Sequence, residues 1–286
     1  MKTFIGWLVA SLITVSSSQA ALLGFWDFEG DAEDSSSNNY HGSPSGPSFV
    51  AGAPGSSTPA GGIDFDGTND YVAIQGLNFN GANSLSEISI AGWFKTTVSV
   101  GGGWAIFANW SLLDFDRSEY FNVFVHGNGS VGFSPAASGS VGQDLFSSST
   151  NNNNGNWHHV VAVYDGTDKF IYVDGSLDGT ALNAHGGRAL GTGTTRFGFI
   201  GDGSEAPTED GTRNNYFYDG QYDDIALFDH ALTPTEVAAL FAGTSPLPVL
   251  SVDRLPAPIL YVPFRSKWLL LTLIAALGGW LLLRRR

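Results

Sequence analysis

The stretch Trp157-His158-His159-Val160-Val161-Ala162-Val163-Tyr164-Asp165-Gly166-Thr167-Asp168-Lys169-Phe170-Ile171-Tyr172-Val173-Asp174-Gly175 decides the fold. Two short apolar runs, 159–164 and 170–173, are separated by Asp165-Gly166, and Asp174-Gly175 closes the second. Asp-Gly between apolar runs signals a hairpin, because glycine takes the positive φ of a tight turn at no steric cost. Upstream, residues 88–94 and 119–125 show the same strand patterning. Strands punctuated at this spacing predict an all-β, two-sheet antiparallel sandwich or jelly roll. One short helix is expected near the end of this region. Thr233-Pro234-Thr235-Glu236 is a capping box with proline at the first helical position, and Gly243 stops the helix. It is too short to stand alone and must pack on a sheet.

Composition agrees. The 286 residues include 37 glycines and 20 phenylalanines but only 14% charged residues, a balance that suits short strands and tight turns over helices. With 43% apolar and 13% aromatic content the chain can bury a core, which excludes low-complexity disorder. The absence of cysteine excludes a disulfide scaffold, a thiolate metal site and a cysteine nucleophile. A net charge of −14 excludes a general nucleic-acid binder. Seven of the 13 basic residues lie at the two ends, so the body of the chain is more acidic still. Such a body favours calcium, a hard ion bound by carboxylate and carbonyl oxygens.

The ends read as addresses. Residues 1–20 have the form of a secretory signal peptide, with Lys2, an apolar stretch from Phe4 to Val15, and Ser18-Gln19-Ala20 before the cleavage point. Residues 244–263 hold five prolines and read as an extended spacer. Residues 268–283 carry no charge and lie between Lys267 and the Arg284-Arg285-Arg286 triplet. As a helix they would extend about 24 Å, and basic flanks reaching outward bring this close to a bilayer core of about 30 Å. The triplet predicts a cytoplasmic C-terminus and an exported body.

The tail, residues 264–286 with Pro263 before them, resembles the sorting tails of Gram-negative surface proteins handled by exosortase-type membrane proteases. Its motif is similar to Ile/Val-Pro-Thr-Leu-Ser-x-Trp, with Pro263, Ser266 and Trp268 in register, while Phe264 and Arg265 depart from it. The resemblance implies a membrane partner and a processing protease.

Residues 21–243 resemble the laminin-G-like branch of the concanavalin A-like lectin/glucanase superfamily. Four segments carry the likeness. They are Phe25-Trp26-Asp27-Phe28-Glu29-Gly30 with Asp34-Ser35-Ser36 and Gly42; Ile63-Asp64-Phe65-Asp66-Gly67 with Asp70-Tyr71-Val72; Trp157 through Gly175; and Gly220 to Ile225 with Ala231, Leu232 and Glu236. The resemblance implies a jelly roll whose first and last strands lie side by side. It also implies a module that binds sugars or proteins, or stands beside a catalytic domain; fold alone does not choose.

Within that frame Asp223 is the most informative acid. Period two along 222–228 places it with Ile225 and Leu227, facing inward, and places Tyr222 with Ala226 and Phe228. An inward carboxylate must be paired, hydrogen-bonded or metal-bound. With the terminal strands adjacent, a structural Ca2+ held by Glu29, Asp34 and Asp223 is expected, the alternative being hydrogen bonds to backbone without metal. Of His158 and His159, one faces inward beside Trp157, and the resemblance makes it a packing residue. Among Trp104, Phe107, Trp110, Phe115, Tyr120 and Phe121, Trp110 is the candidate sugar platform, since rings stack on the apolar faces of pyranoses. Hydrolases on this fold carry Glu-x-Asp-x-x-Glu along one strand. Here Asp114, Asp116 and Glu119 come nearest, spaced Asp-x-Asp-x-x-Glu. The reading is therefore a non-catalytic module, exported and surface-anchored or released, that recognises a glycan or a protein of the envelope or matrix. The alternatives are a glycan hydrolase or lyase using the 114–119 acids, and a purely structural matrix protein.

Overall fold

The computed structural model describes residues 22–74, 76, 85–99, 113–115, 121–133, 144–179, 198–202 and 217–247. All fall in the first of two compact units, Met1–Leu247; the second is Pro248–Arg286. The signal peptide, the sorting motif at Pro263, Ser266 and Trp268, and the helix expected at 268–283 lie outside the described residues. Among the described residues no helix is long and apolar enough to cross a membrane.

Two antiparallel sheets face each other. The first runs β13 (Ser176–Leu177), β12 (Lys169–Val173), β11 (His158–Tyr164), β6 (Ile88–Lys95), β15 (Asp219–Phe228), β4 (Gly62–Asp66), β3 (Ser48–Val50), and β1 (Leu22–Trp26) also pairs with β15. The second runs β10 (Leu145–Phe146), β9 (Val131–Phe133), β8 (Phe121–Val125), β7 (Leu113–Phe115), β14 (Gly198–Ile200), β5 (Tyr71–Ile74), β2 (Gly42–Ser45). The hairpin that opened the sequence reading is β11–β12, with Val161 opposite Tyr172 and Tyr164 opposite Lys169. Its Asp165-Gly166 lies in a four-residue loop, where Asp165 Oδ1 accepts from the backbone N–H of Thr167 and Asp168. Asp174-Gly175 forms the tight turn into β13, both residues at positive φ.

Each face of the first sheet is buried for its own reason. Val160, Ala162 and Tyr164 of β11 join Ile90, Phe94, Val123, Val131 and others in the core between the sheets. Val161 and Val163 point the other way, with Ala91, Ala226 and Phe228, under Leu232 and Val237. A strand covered on both faces reads as a continuous apolar run, which is what 159–164 shows. The cover is α1 (Pro234–Phe241). Its capping box forms as expected, with Glu236 N donating to Thr233 Oγ1 and Thr233 N donating to Glu236 Oε2. Phe241 stacks on Trp93 of β6 at 5.7 Å, so the last turn of the helix is pinned to the sheet.

Strand β15 organises the rest. One edge pairs with β6, at Gln221–Asp223 and again at Ala226–Phe228, and the other is shared: Asp219–Tyr222 pair with β4, and Ile225–Phe228 with β1. First and last strands therefore lie side by side.

Candidate functional site

The point where β15 exchanges β4 for β1 is where its two adjacent acids sit. On β6, Trp93 faces Asp223 and Ala91 faces Ala226, so Asp224 and Ile225 together oppose one residue. This is a β-bulge. Asp224 takes φ +47, a left-handed conformation that aspartate tolerates better than most residues. The extra residue reverses the parity of the strand. Tyr222, not Asp223, shares the inter-sheet core with Ile225 and Leu227, whereas Ala226 and Phe228 face outward. The period-two expectation is thus corrected: Asp223 is buried, but on the outer face of the sheet, under the segment 51–61.

That segment is fitted closely to the acids. Asp223 Oδ2 accepts from Ala53 N at 2.8 Å. A Cβ on Gly52 would come within 2.1 Å of the Gly61 carbonyl oxygen and 2.5 Å of Asp223 Oδ2, so only glycine fits. Asp224 accepts from Ser57 N, Ser57 Oγ and Thr58 Oγ1, each at 2.6 Å. Glu29 Oε1 accepts from Gly61 N at 2.9 Å. Asp223 has no exposed surface, and its Oδ1 has no hydrogen-bond partner. Burial, and then the charge of Asp224, pushes its carboxyl up to about 8, so at neutral pH it mostly holds a proton. Asp27 is also raised, by burial first and then by the charges of Asp224 and Glu29, in spite of its bond from Ser35.

The three acids expected to hold calcium do not form one set. Asp34 receives four hydrogen bonds, from Phe25 N, Ser36 N, Ser36 Oγ and Tyr40 N, and so ties the loop 34–40 to β1. Nothing is left for a cation to satisfy there. Glu29, Asp223 and Asp224 instead share the 51–61 segment, and Asp27 lies near enough to feel the charges of Asp224 and Glu29. Strand alternation alone would turn Asp223 and Asp224 to opposite faces; the bulge is what lets both bond to the one segment. Among the described residues no three His, Asp or Glu side chains gather in a metal-binding arrangement.

Across Trp93 from Asp223 stands the buried histidine, since Trp93 pairs with both residues in register. His159 lies 5.0 Å from the Trp93 ring and 6.0 Å from that of Phe241, and its Nδ1 has no partner. Burial holds the imidazole at about 4, with Asp174 only partly opposing. It is a neutral packing residue at physiological pH, as the family likeness implied. His158 takes the opposite face, that of the inter-sheet core, where at the start of β11 it lies 5.9 Å from the ring of Phe94, its register partner, and has Nδ1 2.9 Å from Asp174 Oδ2. Burial pushes the Asp174 carboxyl up, but its bonds to His158 and to His159 N outweigh this and leave it below the usual carboxylate range.

Trp110, Asp116 and Glu119 lie outside the described residues, so the sugar platform and the acid run expected there have no placement. Asp114 sits in β7, in register with Asn122 on one side and Phe199 on the other.

Comparison with known proteins agrees with this architecture. A family model described as the concanavalin A-like lectin/glucanases superfamily matches residues 66–238. No curated protein matches the chain by sequence. Among solved structures, domain 4 of an extracellular GH43 arabinanase from Geobacillus stearothermophilus, in complex with arabinotriose, superposes with a TM-score of 0.56. It is 16% identical over 77% of this chain and 98% of that one. The binding domain of Paraclostridial Mosquitocidal Protein 1 gives 0.57 at 15% identity, over 77% of this chain and 51% of that one. The receptor-binding domain of botulinum neurotoxin D gives 0.54 at 10% identity, over 77% and 52%. These similarities concern the fold.

Proposed function

Given that the chain belongs to the concanavalin A-like lectin/glucanase superfamily, we propose that it is a non-catalytic binding module for a glycan or a protein of the cell envelope or extracellular matrix. One observation carries the reading. The β-sandwich unit corresponds to nearly the whole of an arabinanase accessory domain crystallised with arabinotriose, and to half of toxin domains whose task is binding. Binding domains of a botulinum neurotoxin, of which this chain matches about half, have been crystallised with rat synaptotagmin II and with SialylT, which supports keeping both partner classes in the proposal. The proposal extends to address: Lys2 with the apolar stretch behind it supports export, and the 268–283 block with its arginine triplet supports anchoring or release at the surface after exosortase-type processing. A structural calcium belongs to the proposal at Asp223 and Glu29, without Asp34. It is supported by the buried, unpartnered Asp223 Oδ1, and such an ion would offset the charge gathered by the two carboxylates.

The test is a glycan array and an envelope-protein pull-down with the full chain, run beside a reducing-sugar release assay. Saturable binding without sugar release is the expected result. Sugar release that disappears in an Asp114→Asn, Glu119→Gln double variant would replace this reading with a hydrolase. For the metal, a melting temperature unchanged between calcium and chelator removes it.

A further inference from the structure

The face of the second sheet that turns away from the core carries a ring and an amide that both touch one histidine, His126. Leu145 of β10 belongs to the inter-sheet core and Phe146, next to it, does not. Phe146 is 38% exposed, a large fraction for an aromatic ring on a strand. It is nevertheless held firmly. Its ring meets Phe124 of β8 at 5.9 Å and 85°, and His126 at 5.4 Å and 73°, both edge-to-face. Gly132 of β9, in register with both Phe124 and Phe146, makes the first contact available. A Cβ there would strike the Phe124 ring at 2.3–2.7 Å, so the ring lies across the bare backbone toward Phe146.

The amide is Asn128, at the exposed tip of the turn joining β8 to β9. Its Oδ1 receives Ser130 N at 2.9 Å and Ser130 Oγ at 2.8 Å, and His126 Nδ1 stands 3.0 Å away. The backbone N–H and the hydroxyl of Ser130 converge on this one oxygen and fix which way the amide faces. The Nδ2 group of Asn128 therefore projects from the other side of the planar amide. The turn itself is braced: Asn151 N donates to Asn128 O, and Asn152 donates to Gly129 O from both its backbone N and its Nδ2. The chain leaving β10 is fastened in turn, since Ser148 N, Ser149 N and Ser149 Oγ all donate to Asp178.

A partly exposed ring of fixed orientation and a fixed amide donor, both touching one imidazole, suit one ligand chemistry. A pyranose or furanose ring lays its C–H face on the aromatic ring and turns its hydroxyls to the amide. The chain is strongly acidic, which argues against an anionic sugar. We propose that Phe146, His126 and Asn128 form a binding site for a neutral saccharide, Phe146 stacking on the sugar and Asn128 Nδ2 donating to a hydroxyl. The site rests on the binding-module reading above and gives it a place.

The experiment measures binding of the full chain to arabino-, xylo-, gluco- and galacto-oligosaccharides, with sialylated glycans as the anionic arm, and then repeats the best neutral ligand with variants. Phe146→Ala is expected to weaken binding about tenfold or more. Asn128→Asp keeps the oxygen that Ser130 and His126 use but exchanges the donor amide for an acceptor. It should lose binding to a similar degree, with the melting temperature held within a few degrees, and Phe146→Trp should restore or tighten binding. Neutral-glycan binding that both variants leave intact overturns the site while leaving the module reading in place. A wild-type chain that binds no neutral glycan overturns the site, and failure to bind any glycan or envelope protein overturns the module reading with it.

Discussion

Asp223 and His159 lie in one cross-strand row on either side of Trp93, buried by different covers and perturbed in opposite senses. The acid lies beneath the 51–61 segment and is raised to about 8; the base lies beneath α1 and is held at about 4. Each keeps an unpartnered polar atom, Asp223 Oδ1 in one case and His159 Nδ1 in the other. Acid and base that meet directly become an ion pair; here an indole stands between them, and both go neutral instead. Burial, not partnership, sets the charge state across this face.

Their pH dependences are opposite as well. Asp223 binds its proton more tightly folded than unfolded, so its contribution is complete below about 4 and is lost as pH rises through about 8. His159 binds its proton less tightly folded, so its contribution is complete above 6.5 and is lost as pH falls toward about 4. Between these limits the two slopes nearly cancel, and from pH 6.5 to 8 the acid alone acts. The largest expected effect comes from removing it. Asp223→Asn should abolish a loss that reaches about 4 kcal/mol by pH 7, seen as denaturation midpoints that no longer decline from pH 6.5 to 8. If calcium binds there, the decline is already absent in the wild type with calcium and returns with chelator.

Next in size, His159→Phe should remove an acid sensitivity of about 3 kcal/mol, so that between pH 6.5 and 4 the variant grows more stable while the wild type stays level. A parallel pair of curves would mean that this imidazole titrates normally. The covers themselves can be compared. Gly52→Ala forces a methyl against the Gly61 carbonyl and should cost about 2–3 kcal/mol in urea unfolding, with the acid's pH dependence reduced as water reaches it. Thr233→Ala removes only the capping box of α1 and should cost about 1 kcal/mol without altering either slope.

The same row shows how far the residues alone could be read. The β11–β12 hairpin and the capped helix were legible because each depends on chemistry local in sequence: Asp-Gly turns, and a threonine three residues before a glutamate. The burial of Asp223 was legible too, but not its face. A bulge is one residue inserted against a partner more than 130 positions away, and period-two counting within 222–228 has no means of sensing it. Asp34 looked like a metal ligand because an acid near paired termini resembles one. Its four donors, spread over residues 25–40, come together only when the loop closes. Phe146 and Asn128 drew no notice for a similar reason, since one phenylalanine among 20 becomes informative only when Gly132 and His126 are placed around it.

Sharing of one edge of β15 between β4 and β1 also sets an order of events. Leu22 finds its partner in Phe228, so the first strand to emerge from the ribosome or a translocation channel has no mate until almost the entire sandwich has been delivered. Closure of the first sheet therefore waits until β15 has been made, a non-local pairing that is slow to form. Truncation before residue 219 should leave a collapsed, protease-sensitive polypeptide, whereas a chain ending at 247 should acquire protection in a single late step.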